Sequence, residues 1–173
     1  MSNERDFVIR RGEVVDIPLM YLMLFEAAAT NPEIAKLDKE AALSLPQIRK
    51  YVEGWGREGD ECVVAAEPAG KPLGAAWFRL FPAEDPGYGF VCEDVPELTI
   101  GVADDARGRG IGSALMKRVL EVAREEGYPA VSLSVEKDSN AVALYERFGF
   151  QSKGQSEQRP TSTTMVLQLD AAS

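Results

Sequence analysis

Apolar positions along this chain follow two periods, and the switches between them mark the elements. Residues 7–10 alternate as a short strand does. Asp16, with Pro18 just after it, marks a helix start, and a helix is predicted over 17–29. Two shorter helical stretches are predicted at 33–43 and 46–55, then strands at 62–66 and 73–81 joined by a turn containing Pro68, Gly70 and Pro72. Residues 82–96 form a loop longer than usual connections, which points to a functional segment.

The second half reads as strand 97–103, a Gly-rich loop, a helix with Ile111, Leu115, Val119 and Val122 on one stripe, and strand 130–135. Gly127 stops that helix, and the strand-helix-strand order predicts parallel strands with a right-handed crossover. Ala141, Leu144, Tyr145 and Phe148 then recur at helical spacing over 140–148, and strands near 150–154 and 163–169 close the chain. The tail after Asp170 is expected to be disordered. These elements predict a single α/β (α+β) domain over 1–173, its core spanning 7–169, with helices flanking a mixed sheet.

At 173 residues and 45% hydrophobic, the chain can bury a core without metal or disulfide staples. No stretch approaches a membrane span, and the first dozen residues lack the apolar segment of a signal peptide, so a cytoplasmic protein is expected. A net charge of −9 argues against nucleic acid and anionic membranes as partners. The absence of histidine excludes Ser-His-Asp and Cys-His catalysis and removes the commonest zinc sites, and no metal is expected. Proton transfer must therefore use a carboxylate, Tyr, Lys, Cys or water. Cys62, opening an apolar run, reads as a small core residue, and Cys92 has no neighbouring base.

Candidate chemistry centres on Arg107-Gly-Arg-Gly-Ile-Gly112, between a strand and a helix. Glycines there let backbone amides converge, and the following helix turns its unpaired N–H groups to the same point, so the segment reads as an anion cradle for a phosphate-bearing ligand. The same glycines also suit a plain tight turn. Charge is uneven around the loop: Arg107, Arg109, Lys117 and Arg118 cluster near it, whereas Glu84, Asp85, Glu93, Asp94 and Glu97 stand together without a base. A cationic acceptor fits the acidic end, although an acidic loop is also simply soluble.

The run Glu97-Leu-Thr-Ile-Gly-Val-Ala-Asp-Asp-Ala-Arg-Gly-Arg-Gly-Ile-Gly-Ser-Ala-Leu-Met resembles the acetyl-coenzyme A motif of the GNAT acyltransferases. Arg107, Gly110 and Gly112 fill the positions of its core, which is Arg or Gln, two residues, Gly, one residue, Gly or Ala. Downstream, Asn140-Ala-Val-Ala-Leu-Tyr-Glu-Arg-Phe-Gly-Phe150 resembles the family's second signature. The resemblance spans roughly 7–169, but 31–55 and 82–96, where such proteins build the acceptor pocket, carry no matched motif.

The resemblance implies an acyltransferase with acetyl-coenzyme A as donor, and a mixed sheet whose two parallel strands splay. Arg107, Gly108, Arg109, Gly110, Ile111, Gly112 and Ser113 would hold the pyrophosphate. Ile100 and Val102 would pair with pantetheine amides, and a backbone N–H at Ile100 or Gly101 would polarise the thioester carbonyl. Asn140 would bond the pantetheine arm, or cap its own helix. Tyr145 would protonate or orient the departing thiolate, or serve as a core aromatic. Glu97 would be general base if its strand register turns it inward. The expected acceptor is a primary amine, on a small molecule or a peptide, and the resemblance makes a homodimer compatible, though no residue shows one. Two alternatives stand: a non-catalytic acyl-coenzyme A sensor, which Tyr145 speaks against, and an NAD-binding oxidoreductase. In the latter Gly108, Gly110 and Ser113 would form the fingerprint and Glu136 would bind ribose.

Overall fold

The computed structural model describes residues 6–156 and 159–170, so the tail after Asp170 lies outside the described residues. The first strand is β1 (Val8–Arg11), followed by four helices, α1 (Ile17–Ala28), α2 (Pro32–Ala35), α3 (Lys39–Ser44) and α4 (Pro46–Arg49). Strands β2 (Glu61–Ala66), β3 (Pro72–Arg79) and β4 (Glu97–Val102) precede α5 (Ile111–Glu125). The chain continues with β5 (Ala130–Glu136), α6 (Ala141–Arg147), β6 (Gln151–Gln155) and β7 (Ser162–Gln168). One seven-stranded sheet results, in the order β1-β2-β3-β4-β5-β7-β6. All neighbours are antiparallel except β4 and β5, which are parallel as predicted.

Helices cover both faces, which is why the strands read as nearly continuous apolar runs. In β2, Val63 and Ala65 pack into the cluster beneath α5, while Cys62 and Val64 face the layer of α1 to α4. The predicted stripe of α5 is buried to the last residue: Ile111, Leu115, Val119 and Val122 all sit in that first cluster. Each such side chain contributes about 1.5–3 kcal/mol on burial. The helix ends as expected at Gly127, whose φ of +84° carries the chain back toward β5.

Two predicted helices are shorter than their periodicity suggests. The stretch 33–43 divides into α2 and α3, because Asp38 takes an extended conformation and its carboxylate caps the Ala41 N–H at 2.7 Å, starting a new helix. The stretch 46–55 stops at Arg49 instead of running to Trp55. Beyond it, the buried Arg79 guanidinium accepts no helix there: it donates to the carbonyls of Lys50 (2.9 Å) and Glu53 (2.6 Å) and pairs with Asp60 at 2.7 Å. Trp77 Nε1 donates to the Tyr51 carbonyl at 3.1 Å, so β3 fixes the position of Tyr51. Asp16 starts α1 in sequence but not as a side-chain cap, since its carboxylate is held by Arg10 and the Glu13 N–H.

Candidate active site

The two parallel strands touch at one register only, Glu97 opposite Ser132. The Ser132 N–H donates to the Pro96 carbonyl at 3.0 Å, and past that point β4 and β5 diverge without further pairing. Their outer edges are fully engaged, β4 by β3 and β5 by β7. Backbone N–H and C=O groups inside a sheet cannot stay unpartnered without cost, so the fork invites an extended amide-bearing ligand between its arms. Ile100 on one arm and Val135 on the other line the cavity at the fork.

Glu97 stands where the arms part. Alternation along β4 directs Leu98 and Ile100 toward α5, and Glu97 toward Tyr51 and the layer of α1 to α4. Its carboxyl is only 2% exposed and lines the cavity. Burial pushes its pKa up to about 7, against the opposing pull of the Tyr51 hydroxyl, the Gly89 N–H and the Lys50 charge. The Gly89 N–H donates to Oε1, whereas Oε2 has no hydrogen bond of good geometry. A half-ionised carboxyl at neutral pH, with one buried oxygen left without a partner, is suited to taking a proton.

The predicted long loop delivers those contacts, and its glycines are what sequence reasoning missed. A Cβ on Gly89 would lie 2.6 Å from Glu97 Oε1 and 2.6 Å from the Leu133 carbonyl carbon, and one on Gly87 would lie 2.8 Å from the Tyr51 hydroxyl. Only glycine lets this backbone reach the carboxyl. Tyr51 itself, accepting from the Tyr88 N–H at 2.8 Å, was equally invisible, because it lay in a stretch without motif.

Tyr145 lines the same cavity from α6. Its ring packs against Phe150 at 6.0 Å between centroids, and burial pushes its pKa up to about 12, so it is protonated throughout the physiological range. Its hydroxyl has no hydrogen-bond partner among the described residues. Asn140 precedes α6 and is exposed; the amide expected of a cap is met instead by Ser139 Oγ, which accepts from the Ala141 N–H at 3.1 Å. Its carboxamide is therefore not consumed by its own helix.

At the other end of the fork, Gly108 and Gly110 hold φ of +81° and +79°, conformations that side-chain-bearing residues rarely adopt, and Gly110 leads directly into α5. The first return bond of the helix is Ala114 N–H to the Gly110 carbonyl, leaving earlier amides to the mouth. At Gly112 a Cβ would meet nothing closer than 3.9 Å, so packing within the chain does not account for that glycine. These observations fit a bound diphosphate. Ile111 contributes only backbone here, since its side chain is core, and Ser113 is exposed. Arg107 ion-pairs with Glu26 and Asp104, each at 3.2 Å, and Arg109 is exposed. Gly101 faces α1: a Cβ there would lie 2.6 Å from the Met23 carbonyl oxygen, so its smallness serves helix packing. Val102 packs on the α5 side.

Residues 23–150 match the sequence model of the acetyltransferase (GNAT) family. The chain belongs to that family. An L-methionine sulfoximine/L-methionine sulfone acetyltransferase of Pseudomonas paraeruginosa is 28% identical over 151 residues, 87% of this chain and 83% of the relative. A ribosomal-protein-alanine N-acetyltransferase structure from Brucella melitensis superposes with a TM-score of 0.64 at 26% identity, covering 94% of this chain and 99% of that one. The fold is also shared with yncA of Salmonella typhimurium, solved with its cofactor acetyl-CoA, at a TM-score of 0.66, 21% identity and 96% coverage of each chain. GNAT membership and the antiparallel return of β7 beside β5 set the nucleotide-oxidoreductase reading aside, and Glu136, its ribose ligand, is ion-paired to Arg159 at 2.7 Å. Among the described residues no cluster of His, Cys, Asp or Glu could hold a metal, and no helix is long and apolar enough to cross a membrane.

Proposed function

We propose that this GNAT acetyltransferase moves an acetyl group from acetyl-CoA to a primary amine by direct attack, with Glu97 as general base and Tyr145 as the acid facing the leaving group. One observation carries the reading: Glu97, Tyr145 and both arms of the strand fork line a single cavity. The amides around Arg107 to Ser113 hold the donor's diphosphate, with Arg107 and Arg109 adding charge. Asn140 and the backbone at Ile100 and Val102 hold its pantetheine arm, and a backbone N–H at Ile100 or Gly101 bears on the thioester carbonyl. Asn31, Ile34, Ile48, Tyr51 and Tyr88 line the remaining side of the cavity, so the segments 31–55 and 82–96 form the acceptor wall.

Glu97 takes one proton from the acceptor ammonium, directly or through water, and the freed amine attacks the thioester carbon. The tetrahedral intermediate collapses by breaking the carbon–sulfur bond, Tyr145 donates its proton to the departing thiolate, and the nitrogen's second proton replaces it on Tyr145; where Tyr145 only orients the sulfur, that second proton passes to the thiolate through water. No acyl-enzyme forms: neither cysteine lines the cavity, and Cys62 is buried, its pKa pushed up to about 12. The acetyl-CoA donor supports a cytoplasmic enzyme.

The test is thiol release from acetyl-CoA in the presence of a panel of primary amines and matched alcohols. Turnover with amines is expected. Turnover with alcohols alone overturns the acceptor class, and donor binding without any turnover favours the sensor.

A further inference from the structure

Resting on that reading of the cavity, we infer that the acceptor is an amine carrying a carboxylate a few bonds away, and that Arg159 binds the carboxylate. Arg159 is the one basic side chain among the described residues lining the cavity. It is held as part of a built site. Its side chain is 17% exposed, and its guanidinium carbon lies 5.8 Å from the Tyr88 ring centroid. Nε donates to Glu136 Oε1 at 2.7 Å, and the backbone on both sides is tied down: Arg159 N–H to Ser156 O at 3.3 Å, Ser162 N–H to Arg159 O at 3.1 Å.

A guanidinium has two edges for a planar anion, and Glu136 takes only the Nε position. The Tyr88 hydroxyl lies near the guanidinium, whose ion pair with Glu136 is made through Nε alone among the described residues. The two groups are also linked through adjacent residues of one segment. Tyr88 carries Arg159 on its ring and donates its N–H to Tyr51, while the next residue, Gly89, donates its N–H to Glu97. Ser156 Oγ donates to the Tyr88 carbonyl at 2.7 Å, fastening the Arg159 turn to the same segment. An amine brought to Glu97 therefore has a cation fixed across Tyr88 from it, and a short zwitterion, such as a free amino acid, satisfies both ends at once. A plain amine leaves the open guanidinium edge unmatched.

The experiment compares kcat/KM for free L-amino acids, their α-amides and the corresponding decarboxylated amines, with wild-type protein, Arg159→Gln and Arg159→Lys. Wild type is expected to prefer acids over matched amides by at least about tenfold, the size of one lost charged contact. Arg159→Gln is expected to bring that ratio near one through the KM for the acid, with the KM for acetyl-CoA unmoved, and Arg159→Lys to retain part of the preference. Equal turnover of acid and amide by wild type overturns the inference alone, as does an Arg159→Gln effect that falls on the KM for acetyl-CoA. No turnover with any amine, amides and decarboxylated compounds included, overturns the proposed function as well. Should Arg159→Gln fail to fold, the wild-type ratio and Arg159→Lys decide.

Discussion

Glu97→Gln is expected to make the protein more stable and nearly inactive, and the stability gain is expected to depend on pH. The carboxyl has an ordinary value of 4.5 and a folded value of about 7, set by complete burial. A raised carboxyl binds its proton more tightly in the folded state, so its contribution to stability is full below pH 4.5 and is lost as pH rises through 7. With one pKa unit equal to about 1.4 kcal/mol, ionising Glu97 in the fold costs about 3 kcal/mol at pH 8 and only about 1 kcal/mol at pH 5. Glutamine never pays this cost. Its carbonyl can still accept from the Gly89 N–H and its amide can donate toward Tyr51, so the Gly89 hydrogen bond survives the change.

The assay is urea unfolding of wild type and Glu97→Gln at half-unit steps from pH 5 to 8. The chain has no histidine, so no imidazole titrates across that window and the background is unusually clear. The stability difference between the two proteins should widen by about 2 kcal/mol over the series, with its steepest part below pH 7. Wild-type kcat/KM should rise over the same range and level off above about pH 7, where Glu97 is ionised. Parallel stability curves across the range would refute the claim that burial holds this carboxyl partly protonated, and with it the reason for making Glu97 the base.

Three other outcomes follow from the same geometry. Tyr145→Phe should lower kcat about 10²-fold while acetyl-CoA affinity, measured by calorimetry, changes little; equal losses in both would leave the ring only a packing role. Asp60→Asn strands the buried Arg79 charge and should cost about 3–5 kcal/mol in urea unfolding, and a cost below about 1 kcal/mol would show that Arg79 holds the α4 turn without it. Gly89→Ala puts a methyl 2.6 Å from the Leu133 carbonyl carbon and from Glu97 Oε1. It should shift the pH midpoint of kcat/KM as well as reduce activity, because the Gly89 N–H is one of the contacts that favours the ionised carboxyl; an unchanged midpoint would remove that N–H from the account.

Most of the fold was legible because local pattern and tertiary role agree in it. The α5 stripe, the glycine at its end and the parallel order of β4 and β5 all follow from periodicity and punctuation. The need for glycine before α5 was legible for the same reason: Gly108 and Gly110 occupy backbone conformations that leave few other residues. The wall proposed for the acceptor was not. Helix 46–55 reads well until one knows that Arg79, about thirty residues on, takes the Lys50 and Glu53 carbonyls, and no local signal announces a capture from another strand. Tyr51, Gly87 and Gly89 were hidden likewise, since each matters through contact with Glu97 and not through its neighbours in sequence. The face of Glu97 was undecidable by one residue of register, and the pairing of β4 with β3 resolves it.

The fork and the surroundings of Glu97 are parts of one construction. If β4 and β5 stayed paired beyond Glu97 and Ser132, the arms would have no free amides for a donor, and there would be no cavity at the strand faces for Glu97 to line. Because they part there, the loop carrying Gly87 and Gly89 can come in over the junction and shield the carboxyl from water. That shielding is what lifts its pKa to about 7, so strand divergence opens the seat proposed for the donor and, through the loop it admits, sets the proton affinity of the proposed base. A substitution that closes the fork should therefore lower the pH midpoint and weaken donor binding together, whereas one confined to α5's mouth should weaken donor binding and leave the midpoint where it is.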